Sequence, residues 1–94
     1  MTRDEVMALE MGAEADLKVA SVIGWRLAIP SRSIGYAMRV EDEVELLGKQ
    51  EDYIDNLQDI VKQKGDNAKM TKWRIAHAKP IDRCKAYLLM YAIE

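Results

Sequence analysis

Glycine and proline punctuate this chain, and their spacing limits what it can build more than any other feature. Gly24, Gly48 and the run Lys64-Gly65-Asp66-Asn67 stand where helices or strands stop or turn, and Pro30 and Pro80 mark further boundaries. The intervals between these stops are short. None approaches the run of about 20 apolar residues that spans a bilayer, and 94 residues suffice for one hydrophobic core, hence a single domain over 1–94. The five glycines are dispersed rather than grouped, which leaves no Gly-rich loop of the P-loop or dinucleotide type.

Within the intervals, apolar spacing predicts the elements. Thr2 and Glu5 stand three apart, the spacing of a capping box, and predict a short first helix over residues 3–9. Ala15, Val19, Val22 and Ile23 share one face of a second helix that Gly24 ends. Residues 25–29 read as a short strand or an extended connection ahead of Pro30. Ser33 is an N-cap candidate for a third helix carrying Ile34, Ala37, Met38, Glu41, Val44 and Leu47 up to Gly48, its acidic side toward water. Residues 53–61 fit a helix by period and a strand by their Tyr, Ile and Val content. Beyond the 64–67 turn, Trp73, Ile75 and His77 alternate with Arg74, Ala76 and Ala78 as in a half-buried strand. Pro80 suits the first turn of a last helix with Ile81, Cys84, Leu88 and Tyr91 on one stripe. The resulting expectation is an α+β fold: a small layered helix/sheet/helix domain with helices at both ends and a short sheet in the second half.

Composition narrows the setting. Hydrophobic residues at 49% beside charged residues at 32% describe a folded globular chain rather than a disordered one. Cys84 is the single cysteine, so an intramolecular disulfide and a multi-cysteine metal site are both excluded, and a reducing compartment fits best. The opening Thr2-Arg3-Asp4-Glu5 lacks the basic-then-apolar order of a secretory signal, so a cytoplasmic location is expected. The net charge is −2, yet the segment 62–85 holds eight cations against Asp66 and Asp82, a local +6 that leaves −8 elsewhere.

Several runs carry a family likeness. Thr2-Arg3-Asp4-Glu5-Val6 through Gly12, Glu14, Asp16, Val19, Ala20, Gly24 and Trp25, the Ile29-Pro30-Ser31-Arg32-Ser33 connection, and Ala76-His77-Ala78-Lys79-Pro80 leading into Arg83-Cys84-Lys85-Ala86-Tyr87-Leu88-Leu89 resemble the phage ABA sandwich domain proteins. That resemblance implies helices packed on a small sheet and a phage or prophage origin, hence a host-cell cytoplasm. It implies no activity, since such proteins are mostly of unassigned role.

Candidate chemistry is sparse. His77 and Cys84 are the only imidazole and thiol, and a buried inert thiol beside a hydrogen-bonded strand histidine is preferred to a catalytic dyad. Glu41 and Glu45 lie one helical turn apart, but one histidine in the chain makes a solvated acidic face the better reading than a metal site. No cofactor or enzymatic role is expected. The basic segment is the strongest candidate, with Lys72, Arg74, His77 and Arg83 as anion contacts and Trp73 as a stacking face. Two functions are therefore expected: a non-enzymatic accessory protein that binds a host or defence protein, as an anti-defence inhibitor, or alternatively an oligomeric binder (a sponge) of a nucleotide defence signal or other anion. Duplex nucleic acid is disfavoured by the acidic remainder, and no membrane partner is expected.

Overall fold

Helices supply all the regular structure of the described residues, 1–24 and 33–92, in a computed structural model of the chain. They are α1 (Arg3–Met7), α2 (Ala13–Ile23), α3 (Ile34–Leu47), α4 (Gln50–Val61), α5 (Ala68–Ala76) and α6 (Pro80–Leu89). Their boundaries follow local chemistry. The Thr2 hydroxyl accepts from the Glu5 amide at 3.2 Å while the Glu5 carboxylate accepts from the Thr2 amide at 3.1 Å, the reciprocal box that starts α1. Gly48 ends α3 at φ +68°, and its amide and that of Lys49 close on the carbonyls of Glu45 and Val44.

The core is organised around α6. Cys84, Ala86, Tyr87, Leu88 and Leu89 are all buried, so this helix is covered on most of its circumference rather than along one stripe. It packs against α1, α2, α3 and α4. Facing it are Val6 of α1, Ala15 and Val19 of α2, Val40 and Val44 of α3, and Tyr53 and Leu57 of α4, all in one continuous apolar cluster. Two small side chains, Cys84 and Ala86, are fully buried in α6, which suits close approach of the surrounding helices. α5 packs against α4.

The expected α+β architecture is not found: no strand or sheet exists among the described residues, so the ABA-sandwich layering is corrected to an all-helical fold. The alternation at Trp73, Ile75 and His77 spans five residues, too few to separate a period of 2 from 3.6. On a helix the segment divides differently: Thr71 turns inward and Ile75 is half-buried, while Trp73 and His77 turn out. Residues 53–61, open between helix and strand, belong to α4. The third-helix stripe is also rotated. Val40 replaces Met38 in the core, and Ile34, Met38 and Leu47 are exposed. The expectation of a strand or extended connection at 25–29 lies outside the described residues. No helix among those described is long and apolar enough to cross a membrane.

Candidate functional site

α5 is set up by its own turn. Gly65 adopts φ +88°, the Asp66 carboxylate accepts from the Gln63 amide at 3.0 Å, and the Asn67 side chain caps α5 by accepting from the Met70 amide at 2.9 Å. Asp66 also holds the Arg74 side chain, with Nε donating at 2.6 Å. Arg74 first, then the Gln63 amide, keep the Asp66 carboxyl below the usual carboxylate range. Thr71 is buried against the body, and the opposite side of the helix carries Met70, Trp73 and His77 in the open.

Trp73 is 54% exposed, yet it is not loose. The His77 ring stacks on it with centroids 4.2 Å apart and planes 22° apart. His77 Nδ1 lies 2.8 Å from the Trp73 carbonyl, which can only accept, so Nδ1 is the donor. Beside this pair an open cleft of about 380 Å³ has Ile60, Val61 and Ile81 among its lining residues, with Arg74 and Lys79 also bordering it. The Lys79 amide donates to the Asp82 carboxylate at 3.2 Å, closing the first turn of α6.

The five candidate residues therefore separate. Trp73, Arg74 and His77 share the cleft, to which the structure adds Lys79. Lys72 borders another groove of about 280 Å³, with Lys62, Asn67 and Thr71. Arg83 is elsewhere. Its side chain is 9% exposed, with Nε donating to the Ala78 carbonyl at 3.2 Å, Nη2 to the Ala76 carbonyl at 3.3 Å and Nη1 to Glu41 Oε2 at 2.6 Å. The same Glu41 oxygen accepts from the Tyr53 hydroxyl at 2.5 Å. Burial, reinforced by this carboxylate, pushes Tyr53 well above the usual phenol range. Glu41, expected on a water-facing acidic side, thus turns inward and ties α3 to α4 and α6.

This pairing redraws the charge map of 62–85. Arg83 is neutralised by Glu41, Arg74 by Asp66, and Lys85 Nζ donates to the Met7 carbonyl at 2.8 Å. Among the described residues, the exposed lysines of this segment whose ammonium makes no hydrogen bond or ion pair are Lys62, Lys64, Lys69, Lys72 and Lys79, and of these Lys62 lies near enough to Asp66 to help hold its carboxyl low. Sequence reasoning missed the Glu41–Tyr53 pair because a carboxylate amid Asp42, Glu43 and Glu45 reads as solvated; its place on the stripe with Ala37 and Val44 was the available signal, and the position of Arg83 explains it.

Cys84 is fully buried and His77 lies on the outer side of α5, so the two are not brought together. Burial raises the thiol to about 12. Among the described residues no group of three His, Cys, Asp or Glu side chains is placed to hold a metal ion. No protein-family model, no curated protein and no solved structure matches this chain.

Proposed function

We propose that this chain is a non-enzymatic domain that acts by binding another protein, and that the outer face of α5 makes the contact. The observation that carries the reading is Trp73: a large aromatic side chain more than half exposed, yet held in one orientation by His77. An ordered, exposed tryptophan presents a large contact area with little rotamer entropy left to lose, the property that makes Trp a frequent energetic anchor of protein interfaces. Met70, 41% exposed one turn earlier, extends the apolar ridge.

Binding of a nucleotide or other anion at the cleft is the second reading, supported by Trp73, Arg74, His77 and Lys79 lying together. It draws less support from the charges. Arg74 is paired with Asp66, Asp82 offsets Lys79 at the same rim, and Arg83 is buried away from it.

A photo-crosslinking residue placed at Ala76, on the exposed side of α5, tests the protein-binding reading in cells that make the chain. A discrete protein adduct is expected that disappears when Trp73→Ala is added, with none from the same probe at exposed Leu17 of α2. Identical adducts from both positions, or none from Ala76, would sink it.

A further inference from the structure

We infer that the partner seated on α5 is an acidic, amphipathic protein segment, its apolar side chains on the Met70–Trp73–His77 ridge and its carboxylates on Lys69 and Lys72; this rests on the protein-binding reading above. The argument begins with helix geometry. At roughly 100° per residue, Met70, Trp73 and His77 fall within one arc of about 60°, and Lys69, Ala76 and Lys72 occupy the arc beside it. All six are exposed. The helix therefore presents an apolar ridge and, beside it, a basic margin in which the small Ala76 leaves room between Lys69 and Lys72.

The charge is available rather than internally satisfied. Lys69 and Lys72 have no partner within the described residues, and Lys62 before the turn and Lys64 within it add to the same sign. The one acid in the turn, Asp66, is engaged by Arg74 and the Gln63 amide. A molecule with net charge −2 thus carries an unbalanced positive end, which would steer a partner with a few carboxylates and select against a basic one. A long polyanion fits less well. One face of Trp73 is covered by His77, and the −8 outside 62–85 repels an extended phosphate chain but not a short acidic segment. Nine residues of α5 give a contact about 14 Å long, enough for two to three turns of a docked helix.

The test is selection from a random 16-residue peptide display library on the purified chain, with Trp73→Ala as the counter-selecting surface. The enriched peptides are expected to place several Asp or Glu beside Leu, Ile or Trp at helical spacing. A synthetic copy of the leading peptide should bind at least tenfold more weakly to Trp73→Ala, to Lys69→Glu/Lys72→Glu, and to the wild type at 300 mM rather than 50 mM salt, with all variants showing wild-type circular dichroism. Enrichment of basic or uncharged peptides overturns the inference. So does tighter binding of a 15-nucleotide oligouridine than of any peptide, or sedimentation of the free chain as a dimer that Trp73→Ala dissociates, which would assign the face to a second copy. An empty selection overturns the partner class alone if the Ala76 crosslink persists, and the binding reading as well if it does not.

Discussion

Arg83 and Glu41 stand 42 positions apart in the chain and 2.6 Å apart in space, and their contact joins α6 to α3. Tyr53 from α4 donates to the same carboxylate oxygen, and the carbonyls of Ala76 and Ala78 take two further Arg83 donors. No buried side-chain nitrogen or oxygen among the described residues is left without a partner. The network works as a unit because each group satisfies another's desolvation.

Removing one member should therefore be expensive. Glu41→Ala leaves the Arg83 guanidinium buried without a counter-charge. It is expected to lower unfolding free energy by about 2–3 kcal/mol, below the 3–5 of a fully buried pair because Glu41 is 22% exposed. Tyr53→Phe removes one hydrogen bond and should cost about 1 kcal/mol. Urea denaturation resolves the difference, and equal midpoints for Glu41→Ala and wild type would contradict the assignment.

Alkali should unfold the protein in a predictable window. Burial holds Cys84 up to about 12 and keeps Tyr53 and Tyr87 well above the usual phenol value. In the unfolded chain these groups ionise at roughly 8.5 to 10. Because each folded value is raised, the associated stability is complete below about pH 8. Above that it declines by up to about 1.4 kcal/mol per pH unit for each group that ionises only in the unfolded state. Urea midpoints between pH 7 and 11 should fall accordingly, and the tyrosinate absorbance of Tyr53 and Tyr87 should appear with unfolding. A midpoint unchanged from pH 8 to 11 would rule this out.

Cys84 should be chemically silent in the native protein. With the thiol fully buried and its ionisation suppressed, reaction with a disulfide reagent at pH 8 is expected only through opening of the fold. The rate should rise with urea in parallel with the unfolded fraction. Prompt reaction in native buffer would contradict its position in the core.

Two large apolar side chains should behave oppositely. Leu57 is 1% exposed between α4 and the core, so Leu57→Ala is expected to cost about 2–5 kcal/mol. Trp73→Ala should change stability by less than about 1 kcal/mol, since the indole is more than half exposed at the open cleft and outside the buried core. A large loss for Trp73→Ala would mean that the indole serves the fold rather than a partner.

Gly48 is a backbone requirement rather than a packing one. A Cβ there would meet no atom within 4 Å, but φ is +68°. Gly48→Ala should cost about 1–2 kcal/mol through the left-handed conformation alone, and Gly48→Asn less. Thermal unfolding of the two variants checks the order.

What was legible in the sequence was local. The Thr2/Glu5 box, the stops at Gly24 and Gly48 and the Pro80 start each depend on residues within a few positions of one another, and each stands in the structure. The misread elements depend on longer distances. α5 has a weak apolar pattern because it packs mainly against α4, so Trp73, Ile75 and His77 could be read with a strand's period. The inward turn of Glu41 needs Arg83. The stripe expected on α6 holds at Cys84 and Leu88, misses Ala86, Tyr87 and Leu89 because helices surround it, and fails at Tyr91, which is exposed beyond the helix end. Of the candidate site, the clustering of Trp73, Arg74 and His77 was readable from sequence proximity. The neutralisation of Arg74 was readable only in part, and that of Arg83 not at all.

The placement of α6 also sets a timetable. The helix against which α1, α2, α3 and α4 all pack is the last of the six to be synthesised. While Leu89 is still inside the ribosome, the apolar faces of the earlier helices have no common surface to close on. The chain must therefore leave the exit tunnel largely open and complete its core in one late step. During that interval those apolar faces stand open to water and to other chains.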